Sequence, residues 1–231
     1  MKAIAISDIH GHLPEITKQA DILCIAGDFS PLKAQRNAPQ MLSWTKKKFM
    51  PWIDSLPVGH VILVAGNHDF VMQNSVHEPQ MMEIFNQNEK LIYLEDRTIS
   101  LEGKIIYGSP WVIGPAGWAF YDRELIKTTN TMPWDADLCI FHQPLHDQGN
   151  GTVMIPPSWE LDALYPDFGS VALDHLCYTR KPKMVVTGHV HTGNHSICEM
   201  ENIGGGTVKF ANVSMLNEDY EPFYEPLEFE I

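Results

Sequence analysis

Asp, His and Asn recur in this chain at five places where a short apolar run stops. Asp8-Ile9-His10 follows AIAIS, Asp28 follows ILCIAG, Asn67-His68-Asp69 follows VILVAG, His142 follows LCIF, and His189-Val190-His191 follows MVVTG. Carboxylate and amide oxygens with imidazole nitrogens, and no thiolate, suit Mn²⁺, Fe, Zn²⁺ or Mg²⁺ rather than a soft-metal or structural cysteine site. Asp8, His10, Asp28, Asn67, His142, His189 and His191 make seven candidate ligands, more than one ion needs. In an extended segment the i and i+2 side chains point to one side, so Asp8 with His10, and His189 with His191, can each reach a common centre. Asp28 stands alone after its run. A lone carboxylate with two oxygens is a natural bridge between ions about 3.5–4 Å apart.

Something must bring these distant residues together. Each of the five runs is short, rich in Ile and Val, and ended by Gly or a polar residue, which reads as a buried strand of a largely parallel sheet. The carboxyl ends of such strands share one edge, where the ligand crevice lies. Turn chemistry alone also places Asp, Asn and Gly after strands, but it accounts readily for one such block and hardly for five.

Between the strands, residues 13–20 read as a short helix and residues 29–39, polar and flanked by Pro, as a loop. Residues 40–56 place Met41, Leu42, Trp44, Phe49, Trp52 and Ile53 at near-helical spacing, which predicts an amphipathic helix kinked at Pro51, with Lys46, Lys47 and Lys48 solvated. A helix is expected over 79–88, strands over 91–94, 98–101 and 104–107 with antiparallel character, and an aromatic loop over 108–121. Residues 143–167 resemble an active-site loop by length, and 171–180 a helix. Segments around Ile197, 208–211 and 227–231 read as strands of a second sheet. Trp111, Trp118 and Phe120 are expected to serve packing, with substrate contact as the alternative. His12 and His146 adjoin ligand blocks and are candidate substrate contacts, whereas His60, His77, His175 and His195 receive no role.

Composition bounds the function. The chain has 231 residues, 44% hydrophobic and 19% charged, a globular balance that predicts one domain over residues 1–231. A net charge of −13 argues against a nucleic-acid polymer as partner. The start is too short in apolar residues for a signal peptide and no run approaches a membrane span, so a cytoplasmic protein without a membrane partner is expected. Cys24, Cys139, Cys177 and Cys198 show no CxxC spacing, and disulfides are not expected. Oligomeric state is not legible.

The ordered blocks D-x-H, G-D, G-N-H-D, H and G-H-x-H, from residue 8 to residue 191, resemble those of the calcineurin-like metallophosphoesterase superfamily. Tyr107-Gly108-Ser109-Pro110-Trp111 with Trp118-Ala119-Phe120 is similar to a stretch in its small metallophosphoesterase-domain-containing, class III cyclic nucleotide phosphodiesterase-like group. The chain departs from the G-D-x-x-D-R-G of the protein phosphatases, because Asp28 is followed by Phe29-Ser30-Pro31-Leu32-Lys33. The resemblance implies an α/β fold, a four-layer α/β/β/α sandwich with two mixed β-sheets and a dinuclear site at strand C-terminal ends. It also implies two divalent ions, Mn²⁺ foremost with Fe, Zn²⁺ or Mg²⁺ as alternatives. Asp8, His10 and His191 would hold one, Asn67, His142 and His189 the other, with Asp28 between.

Two cations sharing a water would lower its pKa toward about 7 and supply a bridging hydroxide for in-line attack on phosphorus. His68 remains free as general acid for the leaving group, with Asp69 beside it as orienter and Asn67 completing the catalytic block. The expected function is hydrolysis of a small phosphodiester, cyclic-nucleotide-like. A small phosphomonoester as substrate, or a non-catalytic metal-binding scaffold, are the alternatives.

Overall fold

The Ile- and Val-rich runs become strands of two sheets in the computed structural model of the chain, which describes residues 1–152 and 167–231. Most of the expected loop 143–167 lies outside the described residues. The strands are β1 (Lys2–Ile6), β2 (Ala20–Ala26), β3 (Val58–Val64), β4 (Leu91–Tyr93), β5 (Arg97–Leu101), β6 (Lys104–Ser109), β7 (Leu138–Phe141), β8 (Met184–Thr187), β9 (Cys198–Glu201), β10 (Thr207–Asn212) and β11 (Leu227–Glu230). The first sheet has the order β11-β1-β2-β3-β4 and the second β5-β6-β7-β8-β10-β9. Each has a parallel centre, β1 to β4 in one and β6, β7, β8 and β10 in the other, with antiparallel pairing only at the edges, β11 on β1, β5 on β6 and β9 on β10.

Period-two alternation sorts the strand side chains into layers. Ala3, Ala5, Cys24, Ala26, Ile62 and Val64 of the first sheet pack on Ile106, Leu138, Ile140, Val186 and Ala211 of the second, forming the layer between them. The intervening residues Ile4, Ile6, Leu23, Ile25 and Leu63 point the other way, into a cluster with Met41, Phe49, Ile53, Met81, Ile84 and Phe85 of the helical segments. Cys139, Phe141 and Val185 join Leu173, Leu176 and Cys177 of the helix Val171–Arg180 in like manner. The result is the α/β/β/α layering expected. Each fully buried aliphatic or aromatic side chain contributes about 1.5–3 kcal/mol.

Three local differences have physical reasons. Residues 13–19 are irregular rather than helical, with Pro14 early in the segment and its carbonyl accepting a hydrogen bond from Trp52 Nε1 at 3.0 Å. The expected helix over 40–56 runs as α1 (Ala38–Trp44), a π-helical turn over Thr45–Phe49, and α2 (Met50–Ser55). Pro51 has no N–H and its ring would clash with the carbonyl four residues earlier, and widening the helix just before it accommodates both demands. The segment 227–231 forms β11 not in the second sheet but at the edge of the first, where Ala3 pairs with Phe229. All four cysteines are free and buried. Among the described residues no helix is long and apolar enough to cross a membrane.

Candidate metal centre

Immediately after β1, β2 and β8 the backbone turns sharply. Asp8, Asp28 and His189 lie in the left-handed region at φ 52°, 52° and 72°, and His10 at 40°. For residues other than Gly this conformation is strained by roughly 1–3 kcal/mol each, and such strain collects at functional sites. Here it turns the side chains over the sheet edges. Asp8 N–H donates to Gly27 O at 3.0 Å and His10 N–H to Asp28 O at 2.9 Å, which sets the first two blocks side by side. Ser7 joins the sheets, its N–H donating to Val213 O at 2.8 Å while its carbonyl accepts from Met215 N–H at 2.9 Å. Gly66 and Gly188 are required by crowding: a Cβ on the first would collide with the Asp28 carboxylate and the His142 ring, and one on the second with Ser7 and Asp8.

All seven predicted ligands converge. Asp28 Oδ2 lies 3.3 Å from His142 Nε2 and 3.8 Å from His10 Nε2. Asn67 Oδ1 lies 2.8 Å from both His142 Nε2 and His189 Nδ1. On the other flank His191 Nε2 is 3.7 Å from Asp8 Oδ1 and 3.3 Å from His10 Nε2. Three triads, Asp8 with His10 and His191, His10 with Asp28 and His68, and Asp8 with Asp28 and His142, keep their donor atoms within 4.8 Å of one another.

The protonation pattern fits a cation. His142 Nδ1 faces the Ala26 carbonyl at 2.8 Å and must donate to it, which leaves the Nε2 lone pair of the neutral ring aimed at acceptors on Asp28 and Asn67. His191 Nδ1 donates likewise to Asn217 O at 2.8 Å, so its Nε2 lone pair faces Asp8 and His10. Clusters of convergent lone pairs need a proton or a metal ion between them. Hard oxygens and imidazoles in this mixture suit a divalent cation.

Burial and charge set the ionisation of the group. Burial alone would raise the carboxyls of Asp8 and Asp28, but His142 and the neighbouring imidazoles more than offset it, and Asp28 is held well below the usual range. Burial pushes His10 down to about 3 and His189 down to about 4, so both rings are neutral and free to ligate. His142 goes the other way: burial opposes its charge, yet Asp28, Asp8 and the Ala26 carbonyl bring it up to about 9. Its extra proton occupies the place a cation would take.

His68 sits at the edge of this group, Nε2 3.9 Å from Asp28 Oδ2. Its partner is one the sequence did not reveal. His68 Nδ1 is 2.6 Å from Gln35 Oε1, while Trp118 lies against the ring at 4.4 Å between centroids. Asp69 does different work: it accepts from Ser30 N–H at 2.9 Å and Gly66 N–H at 2.7 Å, tying together the loops after β2 and β3. Burial and the Asp28 charge push its carboxyl up to about 7.

Other contributors also had no sequence signal, because they are ordinary loop residues far from any ligand block. Ser214 Oγ donates to Asp8 Oδ2 at 2.8 Å, and Tyr220 sets its ring edge-on to His10 and His191, each at 5.0 Å. Trp111 and Phe120 are buried packing residues, as expected. His146 turns to Asp167 and Asp174 at 3.5 and 3.9 Å.

Comparison with known proteins gives a consistent picture. The family model for the calcineurin-like phosphoesterases matches residues 1–193. Metallophosphoesterase domain-containing protein 1 of Homo sapiens is 26% identical over 254 residues, covering 99% of this chain and 70% of the relative. A UPF0046 protein of Caenorhabditis elegans is 27% identical over 249 residues, covering 100% of this chain and 81% of the relative. One solved crystal structure, 15% identical, superposes with a TM-score of 0.55 over 91% of this chain and 89% of that one, a likeness of fold alone.

Proposed function

The chain belongs to the calcineurin-like phosphoesterase family, and on that premise we propose that it is a phosphodiesterase of small substrates working with two divalent ions, Mn²⁺ foremost. The observation that carries this reading is the position of Asp28, whose Oδ2 faces His142 on one side at 3.3 Å and His10 on the other at 3.8 Å. Asp8, His10 and His191 would hold one ion and Asn67, His142 and His189 the second, with Asp28 shared. When bound, such ions supply an acidified water for attack and neutralise charge on the phosphoryl oxygens.

The protein's own residues do the rest. The Ala26 and Asn217 carbonyls fix the tautomers of His142 and His191 with the lone pairs inward. His68 N–H from the backbone holds Asp28 Oδ1 at 2.8 Å, which leaves Oδ2 free to face the centre. Gln35 Oε1 accepts from His68 Nδ1–H, so the protonated ring presents Nε2–H toward the centre as the general acid for the leaving oxygen. Burial lowers the pKa of His68 and makes that proton easier to give. A cytoplasmic location belongs to the same reading, supported by four buried thiols.

Protein reconstituted with Mn²⁺ should hydrolyse bis-p-nitrophenyl phosphate, and Asp28→Asn should reduce kcat by about 10²–10³ or more. His68→Ala should harm an alkyl-leaving-group diester far more than a p-nitrophenyl ester, whose departure needs little protonation. Full activity in Asp28→Asn would end the shared-ligand reading, and equal losses on the two esters would remove His68 from the acid role. Hydrolysis of p-nitrophenyl phosphate without the diester would move the assignment to a monoesterase.

A further inference from the structure

Beside His189 the surface opens into a cavity of about 480 Å³ walled by Ile113, Pro115, Phe168 and Val190. Because His189 both lines this cavity and meets Asn67 Oδ1 at 2.8 Å, the cavity adjoins the candidate metal centre. Its volume falls within the range of small-molecule sites. Phe168 keeps half of its surface exposed, an apolar ring at the mouth of a polar centre.

The walls are set in place by one side chain. Gln143 follows the ligand His142 directly and is 1% exposed. Its Oε1 accepts from Ile113 N–H at 2.9 Å and its Nε2 donates to the Phe168 carbonyl at 2.8 Å. Two walls of the cavity are therefore held by the residue next to a candidate ligand, and a group seated against them has a fixed position relative to the reacting phosphorus. A buried amide satisfied on both sides in this way is a preorganised support.

The charge of the cavity narrows what it admits. Among the described residues the charged groups that line it are Asp167 and Glu218, and no Lys or Arg does so. Asp167 is engaged by His146 at 3.5 Å, Thr152 Oγ1 at 2.9 Å and Gly169 N–H at 2.7 Å, and Glu218 accepts from Thr192 Oγ1 at 3.1 Å. A second phosphate or a carboxylate would meet like charge there, with no lysine or arginine among the described lining residues to pair with. His68 does not line this cavity; its neighbours are Gln35, Trp118, His10 and Tyr220. Resting on the reading of His68 as the acid for the leaving group, the cavity that His68 does not line receives the other ester arm.

We propose that the cavity between Ile113 and Phe168 is the subsite for the retained substituent of a phosphodiester monoanion, and that it selects an uncharged, largely apolar group. The substrate class is then a diester with one apolar or aromatic arm, distinct from phosphomonoesters bearing a further anion.

The test uses phosphinates, monoanions with two P–C bonds that cannot be hydrolysed, titrated calorimetrically into the Mn²⁺-loaded protein. Methyl(phenyl)phosphinate should bind about 10–100-fold more tightly than dimethylphosphinate, the worth of burying one phenyl ring. (2-Carboxyethyl)methylphosphinate should bind more weakly than either. In Phe168→Ala the phenyl-to-methyl affinity ratio should fall about tenfold, and Phe168→Leu should restore much of it. Equal affinities for phenyl and methyl, no binding of either, a ratio unmoved by Phe168→Ala, or a carboxyethyl compound that binds as well as the phenyl one would each overturn the subsite. Turnover of bis-p-nitrophenyl phosphate by the same preparation separates the two readings. Aryl preference without turnover defeats the phosphodiesterase assignment and leaves the subsite, and turnover without aryl preference does the reverse.

Discussion

The two halves of the centre are supported differently. Around Asn67, His142 is fully buried, its Nδ1 tied to the Ala26 carbonyl of β2 and its Nε2 facing two oxygens. Around Asp8, His10 Nδ1 is buried without a hydrogen-bond partner among the described residues. His191 there depends on the carbonyl of Asn217, in the loop before β11. A partner on the remote ring nitrogen fixes the ligand and raises its basicity. The comparison teaches that one half is braced by a strand and the other by a loop, so the Asp8 half should be the weaker and more exchangeable of the two.

The strongest test of that difference is ligand removal. His142→Ala should abolish retention of one equivalent of Mn²⁺ through dialysis and cut diester hydrolysis by about 10²–10³. His10→Ala, which removes an unbraced ligand, should weaken metal binding by only about 10–100-fold. Metal content by mass spectrometry reads both, and identical losses would erase the distinction.

A smaller effect appears in pH. In the chain without metal His142 titrates at about 9, above its ordinary value of 6.5, so at pH 7 it carries a proton that a cation must displace. Affinity in the Asn67 half should therefore rise about tenfold per pH unit from 7 to 9 and level off above, with about one proton released per ion. His10, already down to about 3, releases none, so affinity in the Asp8 half should be flat over the same window. Calorimetry in buffers of differing ionisation enthalpy checks the proton count.

The smallest effect expected is at Gln35, which touches neither half directly. Gln35→Leu should lower kcat on an alkyl-leaving-group diester by about 3–10-fold, leave the p-nitrophenyl ester close to unchanged, and not raise KM, the pattern of a residue that orients the acid. A matched loss on both esters would point instead to a disturbed loop.

The strands and the residues that gather at their ends were legible because burial between layers demands unbroken apolar runs, and because a candidate metal site restricts residue types severely. Asp8, Asp28, Asn67, His142 and His189 all announce themselves by sitting at the ends of such runs. What supports them did not. Gln35 and Gln143 are amides whose roles come from where a loop places them, and neither composition nor period marks that. The pairing of β11 with β1 joins opposite ends of the chain, and the π turn before Pro51 leaves the apolar spacing almost unchanged. The helix expected over 13–20 does not form, and the carbonyl of Pro14 there is taken by Trp52 Nε1.

The way Ser7 stitches the sheets has a mechanical consequence. Asp8, Asp28 and Asn67 hang from the first sheet and His142, His189 and His191 from the second, and the hydrogen bonds that Ser7 makes with Val213 and Met215 form a backbone seam between the two. Any cation gripped from both sides acts as a rivet across that seam. Loading it would slow amide exchange at Ser7 and Met215 and make the two sheets open together, and stripping it would let this rim fray first while the apolar interlayer still held.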